Sequence, residues 1–472
     1  MPRRALPDFV GRAREIAALD RLLEEVRGSG TARMAVLRGR RQVGKSRLVE
    51  VFCERSSVPF VYFQATRWRS PQVEIDEFRR IAAATLMPRG GTLAVAEFRR
   101  WDGMLAAVGD AVEDPAVIVL DEFPWLVEQD PSVEGALQTA WDRHLRTAPV
   151  LVILIGSDLA MMEALTEYGR PLYDRARLMV VHPLAPSEVG QLVSTGPAET
   201  LDAYIVVGGL PNVVRELAKA GSLHAFLRSA LQDPMSPLIV SGERAIAGEF
   251  PSDAHARAVL EAIGGGEREH KNIASASGVG GATLDRALSL LTTKQVVARH
   301  VPYSIEAGGR RSRYQVTDPY LRFWLRYVGQ AIPEIERGRG RLVAQRVLDD
   351  LPTFAGRSIE PIVREALARM LPNRRFGTAR YVGAYWTRDG KVEVDLVGGQ
   401  RADQAAHVEF LGSIKWRRRA PFDQRDLDAL AAHRHDVPGA GPRTRLVAVS
   451  KSGFTGRGLT YGFDAGEILA AW

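Results

Sequence analysis

Gly39 to Ser46 reads GRRQVGKS, a G-x-x-x-x-G-K-S spacing that suits the capture of phosphate oxygens. Gly39 and Gly44 let backbone N–H groups approach an anion, and Gln42, Val43 and Arg47 extend the run of amides around it. Lys45 adds a mobile ammonium, and the hydroxyl of Ser46 is a hard oxygen suited to Mg²⁺. A second stretch, AVIVLDEFPW from Ala116 to Trp125, is an apolar run ending in two acids. Asp121 can hold Mg²⁺ through its water shell, and Glu122 can orient or deprotonate an attacking water. In a third, VLVILIGSDLA, Ser157 follows another apolar run and could sense a terminal phosphate, its rival role being to cap the next helix. Arg175 and Arg177, in RPLYDRARL, are candidates to neutralise transition-state charge in cis or from a neighbouring subunit. The chemistry is that of ATP with Mg²⁺, and Glu122 makes hydrolysis the expected outcome.

Those residues need strand ends and helix starts to hold them. RMAVLR at 33–38, Phe60 to Phe63, Ala116 to Leu120 and Val150 to Ile155 are short apolar runs that read as buried strands. Amphipathic stretches at Ser46 to Glu54, Val73 to Leu86 and Val133 to Leu145 separate them, the alternation of a parallel sheet covered on both faces. Residues 1–184 are therefore expected to form an α/β phosphate-loop core. Helical periodicity takes over at 185–250, expected as a helical lid. Residues 253–328 give three helices and two β-rich pieces, a helix-turn-helix with a β-wing. The polar, glycine-rich EIERGRGR makes 329–345 the expected linker to a last α/β unit at 346–472, with strand candidates at Gly383 to Trp386, Val392 to Val397, His407 to Ile414 and Thr444 to Val449.

The chain of 472 residues is too long for one ordinary core. Its single cysteine, Cys53, excludes an intramolecular disulfide framework and a multi-thiolate zinc site, which implies a reducing, cytoplasmic setting. No apolar run is long enough to cross a bilayer. The net charge of +7 favours a polyanionic partner, although Arg supplies nearly all of the excess and such a skew can reflect genome composition.

FVGRAREIAAL at Phe9 to Leu19, the GRRQVGKS loop, LDEFPWL, LIGS, the RPLYDRA segment and GGLP together resemble the archaeal-type ATPases of the STAND and AAA+ group of P-loop proteins. The resemblance covers residues 1 to about 250 and implies that Gly11, Arg12 and Pro211 lie around the nucleotide. SRYQVTDPYLRFWLRYV resembles the winged helix and extension that accompany many of these ATPases. The C-terminal unit is similar to a restriction-endonuclease-like fold, in which Glu360, Asp395 and Lys415 match the metal-binding pattern and Ser413 stands where an acid belongs. A nuclease-like fold with a weakened or dead site follows. On the winged helix, Arg286 of the candidate recognition helix and Arg310, Arg311 and Arg313 of the wing are candidates to meet double-stranded DNA. The expected function is an ATP-driven switch acting on DNA, a partner protein or a second copy, with an ATP-dependent nuclease and a non-hydrolysing ATP-binding scaffold as the alternatives.

Overall fold

The computed structural model describes residues 9–86, 90–249, 253–303, 312–401 and 407–472. They pack as two units, Met1–Leu184 and Ala185–Trp472. The candidates Arg310 and Arg311 lie outside the described residues.

The first unit is built on five parallel strands: β1 (Arg33–Arg38), β2 (Phe60–Gln64), β3 (Ala116–Asp121), β4 (Val150–Gly156) and β5 (Arg177–Val180). Their order is β2-β3-β4-β1-β5. Because successive side chains point to opposite faces, the apolar runs feed two cores. Met34, Val36, Ile118, Leu120, Val152 and Leu154 face helices Pro71–Thr85, Trp101–Ala111 and Val133–Arg143. Ala35, Leu37, Val117, Val119, Leu151 and Ile153 face helices Ala13–Ser29 and Lys45–Ser56. β5 lies outside the runs read as strands; its four residues are largely exposed at the sheet edge, paired only with β1 among the described residues.

The second unit opens with helices from Pro186–Val193 through Pro237–Glu249. Helices Ala254–Gly265, His270–Ser277 and Gly281–Thr293 follow, then an antiparallel pair, β6 (Val297–His300) and β7 (Arg313–Val316). The expected linker is helical instead: residues 329–339 form short helical turns and Gly340–Ser358 a continuous helix. Glycine signalled flexibility, but Gly338 only kinks the path at φ 76°, and Gly340 lets the helix approach so closely that a Cβ would overlap the Leu231 carbonyl. Val343, Val347 and Leu351 then supply a buried stripe at helical spacing. A mixed sheet completes the unit, with β8 (Tyr381–Trp386), β9 (Glu393–Gly399) and β10 (Val408–Lys415) antiparallel and β11 (Arg445–Ser450) and β12 (Tyr461–Phe463) added in parallel. No described helix is long and apolar enough to cross a membrane.

Candidate active site

The loop after β1 turns at Gln42, φ 65°, and Gly44, φ 90°, before helix Lys45–Ser56 begins. No side chain caps that helix start, so its first N–H groups face the loop as anion donors. Gly39 has to be glycine, since a Cβ there would overlap the Val181 carbonyl. Lys45, 7% exposed, spans the loop and donates to the Gly39 carbonyl at 2.7 Å and the Arg40 carbonyl at 3.0 Å. Arg47 is turned along the helix toward Glu50, 2.9 Å away, so its side chain serves the helix and only its amide faces the loop's turn.

Arg12 holds the loop from behind. It is 3% exposed, sits in the left-handed region at φ 64°, and donates to the Val43 carbonyl at 2.8 Å and the His182 carbonyl at 2.5 Å. Gly11, φ 79°, allows the reversed path just before it. The guanidinium thus ties the loop to the segment after β5.

β3 and β4 deliver the acids and the serine from adjacent positions. Asp121, 1% exposed, accepts the Glu122 amide on Oδ1 at 2.9 Å and the Tyr62 phenol on Oδ2 at 2.8 Å. Glu122 takes the unusual φ of 54°, which swings its side chain off the strand line toward β4, where Oε2 accepts the Ser157 hydroxyl at 3.2 Å. Burial, then the charge of Asp121, raises the Glu122 carboxyl above the ordinary range, while Lys45, Ser157 and Arg41 pull the other way. Asp158, not Ser157, caps helix Leu159–Ala164 by accepting the Met161 amide. The capping alternative for Ser157 is therefore excluded, and its hydroxyl serves Glu122.

The structure brings together Lys45, Ser46, Asp121, Glu122 and Ser157 at the C-terminal ends of β1, β3 and β4. It does not bring Arg175 or Arg177 there in cis. Arg175 makes a two-pronged pair with Asp142, both contacts 2.9 Å, and Arg177 another with Glu25, at 2.8 and 2.9 Å. Arg177 begins β5 beside Ala35, three residues short of the pair Arg38–Val180 that borders the loop. Pro211 starts helix Pro211–Ala220 of the second unit. Sequence reasoning missed Tyr62, whose place beside Asp121 depends on the pairing of β2 with β3 and leaves no local signal. Hard oxygens of Ser46 and Asp121 are a donor set that fits Mg²⁺ in company with phosphate oxygens.

In the second unit, Asp395 of β9 meets β10 directly. Its Oδ2 accepts the Ile414 amide at 2.7 Å and the Ser413 hydroxyl at 3.1 Å. Glu360 starts helix Glu360–Arg369, and Arg364, one turn on, lies 3.5 Å from its carboxylate and donates to the Asp395 carbonyl at 3.1 Å. Burial raises both carboxyls, with Arg364 opposing the shift in each. Lys415 lies 3.8 Å from Asp426, which Arg417 grips through both oxygens. Glu409 is committed to Thr378 at 2.6 Å and Arg445 at 3.1 Å. Among the described residues no cluster of three or more His, Cys, Asp or Glu side chains is arranged to hold a metal. Of the candidates for DNA, Arg286 is exposed and bonds Thr283, whereas Arg313 pairs with Glu393 at 2.6 Å and stacks on Trp386 at 4.7 Å.

Residues 9–217 match the family described as ATPase domains predominantly from Archaea. Residues 324–427 match a family of archaeal and bacterial proteins of unknown function. Over 430 residues, 90% of each chain, the sequence is 24% identical to the uncharacterized protein MJECL04 of Methanocaldococcus jannaschii. Among solved structures, the chain is similar to the Walker-type ATPase PABY2304 of Pyrococcus abyssi, with 19% identity, 68% of this chain and 96% of the other covered, and a TM-score of 0.48. It is also similar to the ORC2 protein of Aeropyrum pernix in its ADPNP–ADP complexes, with 15% identity, 72% and 97% coverage, and a TM-score of 0.47. The phosphate loop and the strand-end acid pair both lie inside the stretch that this family model matches, and residues 9–217 are an ATPase domain.

Proposed function

We propose that the chain is an ATP-driven switch, in which the state of the nucleotide held by the first unit governs binding of DNA by the second. The observation that carries this is the contrast between the two sites. In the first, Lys45, Asp121, Glu122 and Ser157 converge with their hydrogen bonds directed at one another and at the loop. In the second, the guanidinium of Arg364 and the hydroxyl of Ser413 occupy the surroundings of Glu360 and Asp395, which supports a site that does not cut.

In this reading Lys45 and the amides of Gln42 to Arg47 bind the phosphates, and Arg12 keeps the loop in shape through Val43. Mg²⁺, held by Ser46 and Asp121, supplies positive charge to the phosphate oxygens when bound. Glu122, its carboxyl raised by burial, orients the attacking water and receives its proton, and Ser157 fixes the rotamer that does so. Residues 253–328 are read as a winged helix-turn-helix. Arg286 there is exposed toward a phosphate backbone, and Arg418 and Arg419 add exposed charge after β10, while the inward pairing of Arg313 argues against a role for it in DNA binding.

The test is ATP turnover by wild type and Lys45→Ala, with and without duplex DNA, followed by running the DNA on a gel. Turnover lost in Lys45→Ala, changed by DNA and leaving DNA intact supports the switch. Metal-dependent cleavage that vanishes in Asp395→Ala replaces it with a nuclease. Turnover indifferent to DNA at low salt removes DNA as the partner.

A further inference from the structure

Tyr62 stands on β2, in the strand next to β3, with Gln64 beside Asp121 and Tyr62 itself beside Val119. From that position its ring reaches up to the strand end, where the phenol donates to Asp121 Oδ2 at 2.8 Å. The Ser46 hydroxyl faces the same phenol. One neutral side chain, bonded to the end of β3, therefore stands against the first turn of helix Lys45–Ser56, and the two groups it meets are those read above as the holders of a divalent cation. We infer that Tyr62 is a positioning residue for metal binding, setting the Ser46 hydroxyl and the Asp121 carboxylate in place for Mg²⁺. This rests on the reading of Ser46 and Asp121 as the metal's protein ligands.

The chemistry favours a phenol for this task. An ionised carboxylate offers about four lone-pair sites, so one bond from Tyr62 and one from the Glu122 amide leave acceptor capacity for a cation or its waters. A lysine or arginine at the same place would contribute charge and compete with the metal; tyrosine orients without competing. Fixing both side chains in advance lowers the ordering cost that binding has to meet.

Tyr62→Phe keeps the ring and removes the hydroxyl. The measurement is the affinity for a fluorescent ADP in EDTA, and then the Mg²⁺ concentration giving half of the metal's effect on that affinity. The expected result is an unchanged affinity in EDTA with a half-point raised about tenfold, the low end of the range for outer-shell partners of metal ligands. The double variant Ser46→Ala/Tyr62→Phe should lose less than the product of the two single losses, because part of the effect of Tyr62 passes through Ser46. A half-point equal to that of wild type overturns the inference. So does a lowered one, which would make the phenol a competitor for the cation's place. Equal weakening in EDTA and in Mg²⁺ also overturns it, since that is the mark of a general structural role. If wild type binds the nucleotide but shows no response to Mg²⁺, the ligand assignment falls and this inference with it. If wild type binds no nucleotide at all, it is the ATP reading that has failed.

Discussion

Arg12 offers the sharpest test of how the phosphate loop is held. The family resemblance implies contact with nucleotide, whereas the structure commits its buried guanidinium to the Val43 and His182 carbonyls and to Glu15 at 3.2 Å. Arg12→Ala leaves two carbonyls without their charged donor. Each bond to a charged group is worth about 1.5–3 kcal/mol, and because the two share one donor the loss should be about 3 kcal/mol in place of their sum. For a unit of this size that corresponds to a fall in melting midpoint of about 6–12 °C. The left-handed backbone at Arg12 works in the opposite direction only weakly, since alanine tolerates that conformation no better than arginine. Differential scanning calorimetry and nucleotide titration, run on wild type, Arg12→Ala and Arg12→Lys, separate support of the loop from contact with ligand. Support predicts that stability and affinity fall together, with Arg12→Lys intermediate. A variant that melts with wild type yet has lost its nucleotide would refute the reasoning and make Arg12 a direct ligand.

Glu122→Gln should lower kcat by about 10²–10⁴-fold while leaving ATP affinity within a few-fold, as steady-state turnover and equilibrium binding will show. Gly39→Ala should cost the loop its shape through the clash with the Val181 carbonyl, so that nucleotide affinity falls at least about tenfold while circular dichroism still reports a folded chain. His300 gives a pH prediction. Burial, then the charges of Arg364, Arg322 and Arg268, pushes its imidazole down to about 4. An unfolded imidazole titrates near 6.5, so between pH 6.5 and 4 the unfolded chain takes up a proton that the folded chain refuses, and stability falls as the pH falls. Denaturant titrations of wild type and His300→Gln should diverge by about 2 kcal/mol between pH 7 and 4.5, with wild type losing more. Duplex DNA incubated with Mg²⁺ or Mn²⁺ should survive intact, because Arg364 already supplies positive charge beside Glu360 and Asp395.

The parallel sheet was legible because its strands are buried on both faces: RMAVLR and AVIVLD are continuous apolar runs, and each ends where glycine or acid begins. The phosphate loop was legible because its pattern lies within eight consecutive residues, and a strand–loop–helix of that spacing presents backbone amides suited to phosphate oxygens. Edge strand β5 was not read, since its apolar Leu178 and Val180 lie exposed at the sheet edge and no amphipathic helical stretch sets it off from the chain around it. Nor was the helix from Gly340, whose glycine reads as a hinge until the Leu231 backbone is seen against it. Pairings between distant strands and helices are a matter of register, which local sequence does not encode. That is why the bond from Tyr62 to Asp121, the turn of Glu122 toward Ser157, the capture of Arg175 by Asp142 and the placing of Arg364 beside Asp395 were decided only by tertiary structure. Residue types and spacing determined which chemistry was possible; packing determined which side chains were left to perform it.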